Sequence, residues 1–243
     1  MKALILAAGV GSRLRPLTDE TPKALLSVGG APMLERAARR LQAAGVSSFV
    51  VNAHHHAGRV AAFCADLSRR LGVPVAVSRE DGLLLDTGGG LKQAAPLLAG
   101  EGPFFVHNAD VLSDLDLAAL MAAHRESDAL ATLAVRERET SRRLLFDANG
   151  LLRGRRSPEG VEWVGAPVPD AVALGFDGVS VMDEEFLGLL SEEGVFPLTR
   201  PWLRLAGAGR PVRAFRADAW AWHDIGTPEK LAAARAWAAG RPA

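Results

Sequence analysis

The chain has 243 residues, of which 49% are hydrophobic and 23% charged, the composition of an ordinary globular protein of one or two domains. Basic and acidic side chains number 28 each, so the formal net charge is zero. Proteins that bind nucleic acid or anionic membranes usually carry a basic excess, so neither partner is expected. No apolar stretch approaches the about 18 residues of a transmembrane helix, and the single cysteine, Cys64, favours a reducing, cytoplasmic setting.

Short aliphatic runs alternate along the chain with longer segments of helical period, which is typical of a mainly parallel sheet with helices on both faces. We predict an α/β fold, a Rossmann-like twisted sheet, in one domain spanning residues 1–243, with a small α+β portion in its second half. Strands are predicted at 3–6, 48–51, 75–78, 103–107, 129–136, 171–182, 212–216 and 219–225. Helices are predicted at 32–44, 58–71, 87–98 (capped by Thr87), 115–125, 183–190, 198–208 and 227–238, and short antiparallel strands and loops at 137–169.

A glycine-rich segment directly follows the first predicted strand. Gly9 and Gly11 let backbone N–H groups approach phosphate oxygens, at the strand ends where open parallel sheets bind ligands. Arg13 and Lys23 bring positive charge to the same place. A plain βα turn is the alternative for two glycines alone. The sequence lacks two parts of the dinucleotide-binding fingerprint: its third glycine, and an acidic residue at the end of the second strand, where Asn52 stands. No Walker sequence follows the loop either. The segment therefore predicts a triphosphate cradle.

Two aspartates stand where a metal ion would be useful. Asp110 follows a buried strand, and Asp224 ends another strand just before a predicted helix. Mg²⁺ bound to phosphates is usually held by one or two carboxylates. Either aspartate alone is more simply explained as a turn or cap residue.

Three ordered segments carry a resemblance to a known family: LAAGVGSRLRPLT at 6–18, PKAL at 22–25 and VGGAPML at 28–34. Together they resemble the signature of the sugar-phosphate nucleotidyltransferases. The resemblance implies a fold of the nucleotide-diphospho-sugar transferase type and transfer of a nucleotidyl group from a nucleoside triphosphate to a sugar 1-phosphate, with release of pyrophosphate. It implies that Ala7, Ala8, Gly9 and Gly11 bind the nucleotide and that Arg13 and Lys23 are catalytic.

Further segments extend the resemblance to a metal and an acceptor. Asn108-Ala109-Asp110 stands where the family usually has Gly-Asp, and WHDIGTP at 222–228 is similar to its late Asp-x-Gly-Thr-Pro motif. The resemblance implies that Asp110 and Asp224 coordinate Mg²⁺, and that Asn108 and Gly178 contact the sugar phosphate. The family's Glu-Lys-Pro element is not recognisable in residues 136–156, so the remaining sugar contacts stay open.

The stretch Thr87-Gly88-Gly89-Gly90 opens a predicted helix. Its backbone N–H groups could face a flat ring, or the glycines could let the helix pack tightly against the sheet. By resemblance, Gly88 and Gly89 contact the nucleobase, with Glu80 as a further candidate. Under this interpretation residues 1–136 form a nucleotide-binding half and residues 137–243 a sugar-phosphate-binding half.

The segments LDTGGGL at 85–91 and PLTRPWLR at 197–204 most resemble the N-acetylmuramate-1-phosphate uridylyltransferase branch, with the mannose-1-phosphate guanylyltransferase branch close behind. UTP and N-acetylmuramate 1-phosphate or a similar hexose 1-phosphate are therefore the expected substrates. A cytidylyltransferase for phosphocholine or another alcohol phosphate, and a non-catalytic nucleotide-sugar sensor, are the alternatives. Both a monomer and a homodimer are compatible with the sequence. For His54, His55 and His56 a loop and capping role is favoured over metal binding.

Overall fold

A computed structural model of the chain describes residues 1–241, and the last two residues of the predicted domain, 242 and 243, lie outside that range. Its strands are β1 Lys2–Leu6, β2 Ser27–Val28, β3 Ala31–Pro32, β4 Ser48–Ala53, β5 Val75–Arg79, β6 Phe104–Asn108, β7 Val111–Ser113, β8 Ala131–Arg136, β9 Arg143–Phe146, β10 Leu152–Ser157, β11 Gly160–Trp163, β12 Val172–Met182, β13 Val212–Arg216 and β14 Trp222–Asp224. Its helices are α1 Leu17–Glu20, α2 Met33–Ala43, α3 Ala57–Leu71, α4 Asp86–Leu98, α5 Leu117–Arg125, α6 Glu185–Gly188, α7 Thr199–Gly207 and α8 Pro228–Ala238.

One sheet runs through the described part of the chain, in the order β11-β10-β9-β12-β6-β1-β4-β5, with β8 paired to β12 and β13 paired to β8. The pairs β1–β4, β1–β6, β4–β5 and β8–β13 are parallel. The long strand β12 runs antiparallel to both β6 and β8 and so joins the first half of the chain to the second. The predicted α/β fold with a mainly parallel central sheet is confirmed.

Alternation along the central strands divides the core between the two faces of the sheet, because successive side chains of a strand point to opposite sides. Ala3 and Ile5 of β1 belong to the cluster that includes residues of α2, α3 and α5. Leu4 belongs to the opposite cluster, which includes residues of α4 and α7. Burying aliphatic side chains on both faces stabilises the sheet by roughly 25 cal/mol per Å² of apolar surface removed from water.

Most predicted elements are present, with bounds that shift by a few residues. The helix predicted at 183–190 contains only the single turn α6, Glu185–Gly188. The short strand pairs β2–β3 and β7–β14 are additional to the predicted elements, although β14 itself lies within the predicted strand 219–225. The prediction that Thr87 caps α4 is wrong, because the helix begins at Asp86 after Leu85, and the Thr87 hydroxyl instead accepts a hydrogen bond from the Leu198 N–H.

The register of the parallel strands brings their carboxyl ends to one edge. Leu6 at the end of β1 is paired with Asn52 in β4 and with Asn108 at the end of β6. The loops that follow these strands therefore share one side of the sheet, as ligand-binding loops do in open α/β folds. Among residues 1–241, no helix combines the length and apolar character needed to cross a bilayer.

Candidate active site

A cavity of about 320 Å³ opens at the carboxyl ends of β1, β4 and β6. The loop after β1, the segment before α4, the end of β6 and the loop before α7 all contribute to its wall. The lining residues are Leu6, Ala7, Ala8, Gly9, Lys23, Ala24, Asn52, Leu84, Asp86, Thr87, Asn108, Ala109, Asp110 and Val195. Of the predicted site residues, Ala7, Ala8, Gly9, Lys23, Asn108 and Asp110 line the cavity.

The two glycines of the loop after β1 differ in their surroundings. A Cβ on Gly9 would meet nothing within 4 Å, so this glycine borders open space. Gly11 has φ +68°, and a Cβ there would lie 2.8 Å from the Thr18 methyl group. The Thr18 hydroxyl donates to the Gly11 carbonyl over 2.8 Å, which closes the loop. Gly11 therefore shapes the loop, while Gly9 leaves backbone accessible from the cavity.

Lys23 and Asp110 form an ion pair in the cavity wall, between the Lys23 ammonium and Asp110 Oδ2. The Lys23 side chain is 13% exposed and that of Asp110 32% exposed. Lys23 is presented by a single 3₁₀ turn, Lys23–Leu25, and Asp110 by the tight connection from β6 to β7. Elements 87 residues apart in the chain thus place a fixed positive charge beside a carboxylate.

Asp224 lies next to this pair because β14 runs antiparallel to β7. The Ile225 N–H donates to the Asp110 carbonyl over 3.1 Å, which holds the two aspartate backbones together. Burial favours the neutral carboxyl, but hydrogen bonds from the Lys230 ammonium (2.6 Å) and the Gly226 N–H (2.8 Å) outweigh it and lower the pKa of Asp224. Asp224 is therefore ionised, with a cation as its partner.

Arg13 lies at the solvent-exposed rim beside Asp224, outside the cavity lining. A Cβ on Gly226 would lie 3.3 Å from Arg13 Nη2. The glycine of the Asp-x-Gly sequence thus leaves room for the guanidinium. No group of three or more His, Cys, Asp or Glu suited to a metal ion occurs within residues 1–241, so an ion here would need ligands from its substrates as well as the two aspartates.

Glu80 does not line the cavity but supports its wall. Its buried carboxylate accepts from Asn52 Nδ2 at 2.6 Å and from the Leu85 N–H at 2.9 Å. Asn52 Oδ1 in turn accepts from the Ala7 N–H at 2.7 Å. The chain of contacts fixes the segment before α4 relative to the loop after β1. Sequence reasoning missed Asn52 as a site residue, although a polar residue ending a buried strand was the available signal.

Gly88 and Gly89, to which the resemblance assigns a base contact, also lie outside the cavity lining, and that contact stays a prediction. The N–H groups of both donate to the Phe196 carbonyl, over 2.9 and 3.1 Å. A Cβ on Gly88 would lie 2.4 Å from the Phe196 ring, and one on Gly89 2.7 Å from the Gly194 carbonyl. Close helix packing therefore explains these glycines, and their neighbours Asp86 and Thr87 form the wall instead.

Asn108 and Gly178, the two residues expected to contact the sugar phosphate, are adjacent. Gly178 has φ +82°, and a Cβ there would lie 2.9 Å from Asn108 Nδ2, so a larger residue would displace this side chain. Next to Gly178, the buried Asp177 accepts from Arg136 Nε at 2.8 Å, and its carbonyl accepts from the Trp222 indole N–H. The network fixes β12 against β14 beside Asn108.

The three successive histidines reach three different carbonyls. His54 Nδ1 lies 2.8 Å from the Glu80 carbonyl, His55 Nε2 3.3 Å from that of Thr18 and His56 Nε2 3.0 Å from that of Asp19. His56 also precedes the first residue of α3 in a left-handed conformation. The contacts of His55 and His56 hold α1 against the start of α3, and that of His54 holds the same loop to the segment after β5, in line with the predicted loop role; His56 occupies the N-cap position of α3 without a side-chain capping hydrogen bond.

The fold and the cavity together define an α/β protein with a cavity, a cationic group and two carboxylates at one edge of its sheet. The sequence profile of the nucleotidyl transferase family matches residues 2–144, and the chain belongs to this family. It is a nucleotidyltransferase, as the resemblance implied.

Two curated relatives carry the same name. The N-acetylmuramate alpha-1-phosphate uridylyltransferase of Caulobacter vibrioides is 33% identical over 249 aligned positions, covering 96% of this chain and 95% of that protein. The protein so named from Neisseria meningitidis serogroup B is 48% identical over 119 residues, which cover 49% of this chain and about half (51%) of that protein. A solved structure, the inositol-1-phosphate CTP transferase from T. maritima, matches 100% of this chain and 97% of its own with a TM-score of 0.78 at 20% identity, a likeness of fold alone.

Proposed function

We propose that the protein transfers a uridylyl group from UTP to N-acetylmuramate 1-phosphate or a similar hexose 1-phosphate, releasing pyrophosphate. The observation that carries the proposal is the ion pair of Lys23 and Asp110 in a cavity bordered by the open Gly9 loop. The names of the two curated relatives support the choice of base and sugar. The product would be a nucleotide sugar, and the muramate substrate would connect the enzyme with the cell wall.

In the proposed reaction, a phosphate oxygen of the sugar 1-phosphate attacks the α-phosphorus of UTP in line. A new oxygen–phosphorus bond forms as the bond to the β-phosphate breaks, and pyrophosphate leaves with the electron pair. The attacking phosphate is already anionic, so no general base is required. The backbone around Ala7, Ala8 and Gly9 positions the nucleotide, and Lys23 stabilises the charge that develops on the α-phosphate and the leaving group.

The residues present fit a magnesium ion. Asp110 and Asp224 offer hard oxygen ligands from adjacent backbones, and in the structure each carboxylate has a lysine ammonium as its partner. Two carboxylates with the remaining positions left to phosphate oxygens and water is a usual arrangement for Mg²⁺. When bound there, the ion would supply positive charge that neutralises the phosphate oxygens. Arg13, beside Asp224, would add a planar cation that suits phosphate groups.

The second half of the chain, together with Asn108 from the first half, is proposed to bind the acceptor. Asn108 and the adjacent Gly178 are the proposed sugar-phosphate contacts, supported by their position beside Asp110 at the end of β6. Residues 1–136 would then act as the nucleotide-binding half and residues 137–243 as the sugar-phosphate-binding half of one domain. The cytoplasmic setting and the choice between monomer and homodimer stay predictions.

The test is a substrate panel. The purified chain is incubated with Mg²⁺, each of the common nucleoside triphosphates and a set of acceptors comprising sugar 1-phosphates and phosphocholine, and pyrophosphate release is measured with mass analysis of the product. We expect UTP with N-acetylmuramate 1-phosphate, or with another hexose 1-phosphate, to give the highest kcat/KM. Absence of turnover with every pair would contradict the proposed function. A clear preference for phosphocholine with CTP would replace it with a cytidylyltransferase.

A further inference from the structure

Asp86 is the one residue of the cavity wall whose charge the proposed reaction leaves unexplained. It lines the cavity next to Leu84, and its side chain is exposed. Its φ is +61°, a left-handed conformation adopted mainly by glycine, asparagine and aspartate. Glycine would adopt this conformation at no steric cost, whereas aspartate also adds a carboxylate to the cavity wall.

Of the polar side-chain atoms around Asp86, one carboxylate oxygen stands without a hydrogen-bond partner within residues 1–241. Both amide atoms of Asn52 are engaged, by the Ala7 N–H and by Glu80. The Thr87 hydroxyl already accepts from the Leu198 N–H. Asp86 Oδ1 accepts from the Thr87 N–H at 2.6 Å, whereas Oδ2 has no partner within residues 1–241.

The surroundings of that oxygen suit a flat ring. Leu84 and Val195 contribute apolar side chains to the wall, and the hydrogen bond from the Phe196 N–H to the Leu85 carbonyl holds their two segments together. The ion pair of Lys23 and Asp110 belongs to the phosphate end of the cavity. The part of the wall around Asp86 is therefore left for the base.

We propose that Asp86 is a specificity-determining residue that accepts a hydrogen bond from the ring N–H of uracil through its free carboxylate oxygen. Uracil has one ring N–H between two carbonyl groups, which matches one free acceptor. Cytosine has an unprotonated nitrogen at the same position, which a carboxylate repels. Guanine has two adjacent donors, whereas one oxygen of Asp86 already accepts from the Thr87 N–H. The inference rests on the proposed nucleotidyl transfer and names the group that selects its base.

The sharpest test is Asp86→Asn, which changes one oxygen into an N–H donor at almost constant shape. Asparagine also tolerates a positive φ, and its own oxygen can keep the bond to Thr87. The new donor matches the unprotonated ring nitrogen of cytosine. We expect the ratio of kcat/KM for UTP to that for CTP to fall about 10- to 100-fold, mainly through KM. Asp86→Gly should raise the KM for UTP without lowering the KM for CTP.

The matched control is Asp81→Asn, which removes a carboxylate in the same loop whose one ion pair within residues 1–241 is a 3.6 Å surface pair with Arg79. In this variant the ratio of kcat/KM for UTP to that for CTP should equal the wild-type ratio. Direct binding of UTP and of CTP, by calorimetry without acceptor, should show the same shifts. Deoxy-UTP tests whether Asp86 contacts the ribose instead of the base. If Asp86 bound the ribose 2′-hydroxyl, the wild type would bind UTP more tightly than deoxy-UTP, and Asp86→Asn would bind the two equally.

Three results would overturn the inference: an unchanged ratio for UTP and CTP in an active Asp86→Asn enzyme, a wild-type preference for GTP or CTP, or an effect confined to the ribose. The first and third leave the proposed transferase activity intact, because they are measured on an active enzyme. Failure of the wild type with every substrate pair would contradict the proposed function, and calorimetry would then still decide whether Asp86 distinguishes uracil from cytosine.

Discussion

Lys23 presents its ammonium to the cavity and to Asp110 at the same time, so its loss should affect turnover and stability unequally. In Lys23→Met we expect kcat/KM to fall by about 10² to 10³, because a fixed charge near developing phosphate charge is lost. The stability cost should stay within about 1 kcal/mol, because Asp110 is 32% exposed and water can solvate it. Pyrophosphate release and urea unfolding are the two measurements.

The matched control for this variant is Lys2→Met. Lys2 lies at the opposite end of β1 and contacts the Ala99 carbonyl and Glu101. It should keep wild-type turnover. Equal turnover in Lys23→Met and the wild type would remove Lys23 from the reaction, whatever its effect on stability.

Lys230 bonds to Asp224 over 2.6 Å and would compete with a metal ion for that carboxylate. Its side chain is 52% exposed, so the pair is worth only about 0.2–1 kcal/mol. In Lys230→Met we therefore expect the Mg²⁺ concentration for half-maximal rate to fall about two- to five-fold. Mn²⁺ binding, followed by its electron spin resonance signal, should tighten to a similar extent, while Lys230→Arg should resemble the wild type. Unchanged metal affinity in the methionine variant would argue against Asp224 as a ligand.

At the scale of elements, helix α4 is held against the loop before α7 by two glycines. A Cβ on Gly88 would lie 2.4 Å from the Phe196 ring and 2.8 Å from its carbonyl, and a carbonyl cannot move without moving the backbone. Gly88→Ala should cost about 1–3 kcal/mol of unfolding free energy, as other overpacked sites do. It should also shift Val195 and raise the KM for the nucleotide.

The control substitution is Gly58→Ala in helix α3, where a Cβ would meet nothing within 4 Å. It should stabilise the protein by about 0.5–1 kcal/mol, because alanine favours the helix and restricts the unfolded chain. Urea unfolding of both variants measures the difference. If Gly88→Ala were as stable as Gly58→Ala, close packing would not explain the first glycine.

These helices also show why some of the site was predictable and some was not. Gly9, Lys23 and Asp110 follow strands or lie in an ordered motif, so local sequence placed them at one edge of the sheet. Gly88 belongs to an equally clear motif, but whether its N–H faces a ligand depends on Phe196, more than 100 residues away. The pairing of Glu80 with Asn52, 28 residues apart, is likewise set by tertiary packing and leaves no local pattern.

At the scale of the whole molecule, the two predicted halves share one sheet. Strand β12, from the second half, pairs with both β6 and β8 of the first half. The short strand β14 likewise pairs with β7 and brings Asp224 beside Asp110. The edge that carries the candidate site is therefore assembled only when both halves are folded, which ties the integrity of the site to global stability.

His107 lies in β6, at the centre of this shared sheet, and should make that stability depend on pH. Burial lowers its pKa to about 4, and the positive charge of Arg40 acts in the same direction, against the hydrogen bond to the Asn108 carbonyl and the charge of Asp110. In the unfolded chain its pKa is about 6.5. Between these values the unfolded chain takes up a proton that the folded protein refuses, so stability is full above pH 6.5 and declines as the pH falls towards 4.

The contribution of His107 to this decline should reach about 3 kcal/mol, since each pKa unit corresponds to about 1.4 kcal/mol. Urea unfolding of the wild type and of His107→Gln at pH 7 and pH 4.5 measures it. Glutamine has no charge to gain, so the variant should lose less stability between the two pH values, even if it is less stable at both. The pH dependence of stability that remains in this variant would include a contribution from His124, because burial lowers the pKa of that side chain as well. Equal losses in the two proteins would mean that His107 accepts its proton in the folded state, and that the centre of the sheet is accessible to water.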